Sequence, residues 1–160
     1  MLHLFAHSTY AGRVTTVLAP TGMEHRAKIH QAIEDLMAGG STAMADGLET
    51  AYKLAYKTLK PGHINRIIVL SDGDANIGRT DADDMLQTIR KHAEGGITLT
   101  TMGFGTGNYK DARMEQLADA GDGAYVYIDG WSEAERVFGE QLGATLETVG
   151  RDVKLQLELD

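Results

Sequence analysis

The sequence contains no cysteine and no long apolar run. The first absence excludes sites built on thiols, and the second excludes a membrane-spanning helix in this sequence. Without cysteine the chain has no disulfides, no thiolate metal site and no thiol nucleophile. No apolar stretch approaches the roughly 20 residues that a membrane-spanning helix needs. The first residues show neither a basic region nor a cleavage site typical of a signal peptide. The sequence alone therefore leaves the compartment undetermined.

Clusters of lysine and arginine are also missing, although the chain carries many charges. Its 160 residues have a formal net charge of -8, and the sequence pI is about 5.2. Proteins that bind nucleic acid usually show a basic patch, so we expect no nucleic-acid partner. The excess of acidic residues favours cations or basic partners. The length suits one domain with a sizeable core.

Strand-like and helix-like periods alternate along the chain. Strands are predicted at Leu2–Ser8, Arg13–Leu18, Ile64–Leu70, Ile97–Phe104 and Ala124–Ile128. Helices are predicted between them, and a last helix runs from a capping box of Ser132 and Glu135 to about Thr148. This order predicts an α/β fold with a mostly parallel sheet and helices on both faces. The apolar run Ile67–Leu70 is expected at its centre, and Arg13–Leu18 as an antiparallel edge strand of a hairpin.

The end of the chain differs from the rest in its pattern. Val153–Leu159 alternates apolar and polar residues without a break, as a strand with one buried face does. We therefore divide the chain into a domain at residues 1–150 and a segment at residues 151–160. That segment either leads into a following domain or pairs at an interface.

Ligands of open α/β sheets bind beyond the carboxyl ends of the strands, and two polar residues stand at such positions. Asp72 follows the most apolar strand, and Thr42 stands at the start of a helix. A carboxylate and a hydroxyl are hard oxygen ligands that suit Mg²⁺ or Mn²⁺. Thr42 also fits a plain helix N-cap, and the nearby Asp74 and Asn76 fit a turn.

Glycines at positions 103, 105 and 107 resemble a phosphate-binding loop, but the pattern is incomplete. The G-x-G-x-x-G motif needs a glycine at position 108, where Asn108 stands. The glycines therefore give little support to a nucleotide site.

Several segments together resemble von Willebrand factor type A (VWA) domains of bacterial proteins. They are Gly39–Thr42 with the helix through Tyr52, Asn65–Asp74, Gly103–Asn108, Met114–Asp119 and Asp152–Leu155. They cover nearly the whole chain in the family's order. The resemblance implies a three-layer α/β/α Rossmann-like fold with the strand order 3-2-1-4-5-6.

The resemblance also implies a divalent-cation site, the metal-ion-dependent adhesion site. In the family an Asp-x-Ser-x-Ser motif, a threonine and an aspartate hold Mg²⁺ or Mn²⁺. By resemblance Thr42 is that threonine and Asp72 that aspartate. The Asp-x-Ser-x-Ser motif is absent, and the chain matches the family from its second strand, so the first, central strand is missing. Metal binding by this chain is therefore expected to be weak or absent.

The resemblance predicts a protein-binding module and not an enzyme, with an unidentified protein partner. The open strand edges predict a homo-oligomer, most simply a dimer. One alternative is a phosphohydrolase of the haloacid dehalogenase type that uses Asp72 and Asp74, although that family's usual threonine is Asn76 here. A ligand-free structural remnant is the other. The parent protein is expected to be bacterial, and export or membrane anchoring stays open.

Overall fold

The computed structural model describes residues 3–10, 13–37, 44–72, 82–105 and 112–141. Its elements are β1 (His3–Tyr10), β2 (Arg13–Gly22), α1 (Arg26–Glu34), α2 (Met44–Thr58), β3 (Asn65–Ser71), α3 (Ala82–Glu94), β4 (Ile97–Phe104), α4 (Ala112–Ala120), β5 (Tyr125–Ile128) and α5 (Trp131–Glu135). A 3-10 turn, Met23–His25, precedes α1, and a π-helical segment, Arg136–Gln141, follows α5. This order confirms the predicted α/β fold. No helix in the described ranges is long and apolar enough to cross a membrane.

The strands form two sheets. β1 and β2 pair antiparallel from His3 opposite Gly22 to Tyr10 opposite Arg13, with an irregular register around Ala6. The parallel sheet has the order β3-β4-β5. The predicted hairpin is therefore present, but among the described residues it forms a sheet of its own and does not pair with the edge of the parallel one.

The predicted central position of Ile67–Leu70 is wrong for the part of the chain that the structure describes. β3 is hydrogen-bonded to β4 there and to no second strand, whereas β4 pairs on both sides. Neither strand of the β1–β2 hairpin is hydrogen-bonded to β3. An apolar run fits a strand with buried faces, but it does not specify how many neighbours that strand has.

One face of the parallel sheet is covered by α2, α3 and α4. Ile67 of β3 and Leu99 of β4 point to this side, where the main core lies. The helices contribute Met44, Leu48, Tyr52, Ile89, Met114, Leu117 and Ala120 to the core. α2 also contacts the β1–β2 hairpin, so it lies against both sheets.

The other face of the parallel sheet is covered only in part. Met102, Ile128 and Val137 form a small cluster there, beneath α5 and the π-helical segment. Ile68 and Leu70 of β3 share this face because side chains alternate along a strand. They are 36% and 58% exposed, so the cover does not reach β3.

The helix α5 begins one residue before the predicted capping box. Trp131 is its first residue, and Gly130 occupies the N-cap without a side-chain capping bond. Ser132 is thus already inside the helix, and the prediction that it caps the helix is wrong. The shift places Trp131 at the carboxyl end of β5, with 85% of its surface exposed.

Two tyrosines and a histidine join α2 to α3. The Tyr52 and His92 rings stack with centroids 3.9 Å apart, and the Tyr56 hydroxyl lies 2.9 Å from His92 Nδ1. Burial lowers the pKa of His92 from its ordinary value of 6.5. Protonation of the imidazole is therefore less favourable in the folded chain than in the unfolded chain.

Two neighbouring threonines of β4 provide a matched test of buried hydroxyls. The Thr101 hydroxyl donates to the Met114 carbonyl of α4 at 2.8 Å, whereas the buried Thr100 hydroxyl has no partner among the described residues. We expect Thr101→Val to lower the free energy of unfolding by about 1 kcal/mol, and Thr100→Val to leave it unchanged or raise it. Urea denaturation measures both, and equal losses would contradict the assignment.

The lowered pKa of His92 predicts a dependence of stability on pH. Below about pH 6.5 the unfolded chain takes up a proton that the folded chain resists, so the free energy of unfolding falls as the pH falls. We expect His92→Phe, which keeps a ring against Tyr52, to reduce that fall between about pH 7.5 and 5.5. The exposed His30 supplies the control His30→Gln. If both variants follow the wild type, His92 is not the group responsible.

Candidate functional site

Asp72 lies at the carboxyl edge of the parallel sheet. It directly follows Ser71, the last residue of β3, and its side chain is exposed. Ser71 pairs with Gly103 of β4, so Asp72 stands one step further along, level with Phe104. The hydrogen-bonded strand fixes its backbone, and the carboxylate faces solvent. Asp72 is thus available to a cation or to a basic partner.

The other predicted site residues fall outside the described ranges. Thr42 lies in the interval 38–43, and Asp74 and Asn76 lie in the interval 73–81. Within the described ranges no group of three or more His, Cys, Asp or Glu side chains could hold a metal ion. The described donor set is therefore the single carboxylate of Asp72, and Mg²⁺ prefers more protein or water ligands in octahedral geometry.

The glycines after β4 have a packing role. A Cβ on Gly103 would stand 3.1 Å from the Tyr125 hydroxyl, and one on Gly105 would stand 2.9 Å from the Tyr127 hydroxyl. The Gly105 amide donates to the Ile128 carbonyl at 3.2 Å, which continues the β4–β5 pairing. Close contact with β5 thus accounts for Gly103 and Gly105, while Gly107 and Asn108 lie outside the described ranges.

An apolar cavity of about 670 Å³ opens at the carboxyl ends of β4 and β5. Its lining is mainly aromatic and aliphatic, with two carboxylates and glycine backbone: Phe104, Gly105, Ile128, Asp129, Gly130, Trp131, Ala134, Glu135 and Phe138. Our sequence analysis missed it. The one available signal was the only tryptophan of the chain, which follows the strand end at Ile128 after Asp129 and Gly130.

Next to the cavity, Arg136 forms an ion pair with Glu133. Arg136 Nε donates to Glu133 Oε2 at 2.9 Å, and its Nη2 contacts Glu133 Oε1. This hydrogen bond lowers the pKa of the Glu133 carboxyl. Arg136 is thus drawn toward Glu133 and does not line the cavity, whose charged lining residues are Asp129 and Glu135.

Comparison with known proteins agrees with this geometry. The profile of the von Willebrand factor type A domain matches residues 4–140. The chain belongs to the VWA family. The VWA domain of SpRpn10 superposes with a TM-score of 0.59 at 16% identity, over 79% of this chain and 64% of that one. At that identity the likeness shows the fold alone, and it confirms the predicted Rossmann-like α/β class.

Two bacterial relatives share more of the sequence. YfbK of Escherichia coli K12 is 43% identical over 152 residues, which are 95% of this chain and 26% of YfbK. A Synechocystis protein is 32% identical over 148 residues, which are 92% of this chain and 34% of that protein. This VWA chain thus spans about a quarter to a third of the length of these relatives.

Family membership gives a reason to compare the position of Asp72 with that of the cavity. The VWA family comprises protein-interaction modules and often binds Mg²⁺ or Mn²⁺. Asp72 stands at the carboxyl edge of the sheet in this VWA domain, and the cavity beside Trp131 opens on the same edge, where its lining residue Phe104 is level with Asp72. Neighbouring strands are about 4.8 Å apart, so the two features adjoin each other.

Proposed function

We propose that this VWA domain binds a partner protein through the carboxyl edge of its parallel sheet, with Thr42 and Asp72 as an incomplete metal-ion-dependent adhesion site. The observation that carries the proposal is the exposed Asp72 carboxylate at the end of β3. A strand end is a rigid support, so the carboxylate is held ready for a ligand. With a full set of ligands, a cation there would accept an acidic residue of the partner.

The same donor set argues for weak metal binding by this chain. One carboxylate and one hydroxyl leave most positions of an octahedral Mg²⁺ to water, and Mg²⁺ gives up its water reluctantly. The Asp-x-Ser-x-Ser ligands are absent from the sequence. We therefore propose that a partner, or a segment that carries those residues, must complete the site before a cation is held firmly.

Calorimetric titration tests the metal site. We expect no saturable binding of Mg²⁺ or Mn²⁺ in the micromolar range, because too few protein ligands are present. The controls are Asp72→Ala at the site and Asp83→Ala, an exposed carboxylate on α3. Micromolar affinity that Asp72→Ala abolishes and Asp83→Ala preserves would contradict the proposed incomplete site.

The same preparation distinguishes the alternatives. Release of phosphate from a phosphomonoester with Mg²⁺, lost in Asp72→Asn and Asp74→Asn, would instead indicate a phosphohydrolase. If Asp72→Ala leaves binding to every partner recovered with the intact chain unchanged, a ligand-free remnant becomes the better account. We expect neither result, because Asp72 is an exposed carboxylate at a strand end and the chain belongs to a family of protein-interaction modules.

We also propose that the chain forms a homodimer. Among the described strands β3 pairs on one side only, and it exposes Ile68 and Leu70 on its uncovered face. Burying a leucine or isoleucine side chain contributes roughly 1.5–3 kcal/mol, which is large beside the stability of a domain. A second copy would supply that cover, and Val153–Leu159, which lies outside the described residues, is the segment we expect to be exchanged or paired.

Light scattering tests the dimer. We expect a mass near twice 17.3 kDa at micromolar protein concentration. Leu70→Lys places a charge on the proposed interface and should shift the mass toward the monomer. Ile33→Lys, at a residue of α1 that is 50% exposed, is the control and should leave the dimer intact. A monomeric wild type would overturn the proposal.

A further inference from the structure

The cavity beside Trp131 has the features of a binding site of its own. Its volume of about 670 Å³ falls in the usual range of ligand pockets, roughly 300–1,000 Å³. Trp131 is 85% exposed and Phe138 is 41% exposed, although both are large apolar side chains. Exposed aromatic residues gathered around one cavity are typical of recognition surfaces.

The inner wall of the cavity is rigid. Phe104 and Ile128 end two strands that are paired with each other, and the Gly105 amide extends the pairing by one more hydrogen bond. Ile128 is buried against Met102 and Val137, so a packed cluster supports the wall from behind. A ligand would therefore meet a preformed surface, which lowers the entropy cost of binding.

The rim of the cavity carries negative charge. Asp129 and Glu135 are its charged lining residues, and both are exposed. The nearby Arg136 is paired with Glu133, which is not a lining residue. The net charge of -8 adds to the attraction for a cation at this place.

We propose that this cavity binds a peptide segment of a partner protein, with an apolar side chain of the peptide against Trp131 and Phe138 and a flanking lysine or arginine beside Asp129 and Glu135. The apolar wall favours the first group, and the acidic rim favours the second. The proposal uses neither Asp72 nor a metal ion. It therefore stands or falls independently of the adhesion site proposed above.

Trp131 supplies the measurement, because it is the only tryptophan of the chain. An indole that leaves water on binding shifts its emission to shorter wavelength. The probe is the blocked hexapeptide GKVLKG, which contains no tryptophan or tyrosine. With the full chain in EDTA, we expect a saturable shift, and at least about five-fold weaker binding of the acidic counterpart GEVLEG.

Matched variants assign the charge effect to the rim. We expect Glu135→Gln to weaken binding of GKVLKG by about three- to five-fold, the range of an exposed ion pair, and to reduce its dependence on salt. Glu115→Gln is the control, since Glu115 is exposed on α4, which packs on the opposite face of the sheet. Phe138→Ala should weaken both peptides alike, because it removes apolar wall and no charge.

Four outcomes would overturn the proposal. They are no emission shift with GKVLKG, equal affinity for the two peptides, equal effects of Glu135→Gln and Glu115→Gln, and a shift with protein concentration alone. The last would show that a second copy of the chain occupies the cavity. Circular dichroism confirms that each variant is folded, and Glu135→Gln, at an exposed side chain, keeps the test decisive if Phe138→Ala fails to fold.

Discussion

The pairing of β4 with both of its neighbours is the interaction on which the rest of the structure depends. Residues Ile97 to Gly103 of β4 pair with β3, and residues Thr101 to Phe104 of β4 pair with β5. Its alternate side chains enter two different clusters, Leu99 on one face and Met102 on the other. A strand that serves both faces and both edges must be fully buried, and every residue from Leu99 to Gly103 is buried. The two outer strands of this sheet are hydrogen-bonded to β4, and the covering helices pack against its side chains.

The two faces of the sheet are covered unequally, and the binding proposals follow from that difference. α2, α3 and α4 seal one face with a continuous core. On the other, α5 and the π-helical segment cover β4 and β5 but leave Ile68 and Leu70 of β3 exposed. Apolar surface in water costs free energy, so a complex in which a partner covers that surface is stabilised. The open side of β3 and the aromatic cavity are thus two parts of one incompletely covered face.

Much of the fold could be predicted from local patterns, whereas the strand neighbours could not. Alternation and helical spacing located the strand that ends before Asp72 and the helices between the strands, because these signals depend on residues close in the sequence. Among the described strands the central place given to Ile67–Leu70 was wrong, since an apolar run reports burial and not the number of paired edges. Ser132 fitted a capping pattern, yet Gly130 holds the N-cap. Of the candidate site, the position of Asp72 at a strand end was predictable, and Thr42 stays a prediction.

By itself the sequence determined the α/β class, the acidic charge and the carboxylate that follows the most apolar strand, since each is a property of composition or of a short segment. Only the tertiary structure decided that β4 is the central strand of the parallel sheet and that the hairpin stands apart from it. It also decided that Phe104, Trp131 and Phe138 line one cavity, with Asp129 and Glu135 at its rim. These residues come from a strand end, a turn and two helical segments. They converge because β4 and β5 end side by side, and pairing between distant segments leaves no periodic signal in the chain.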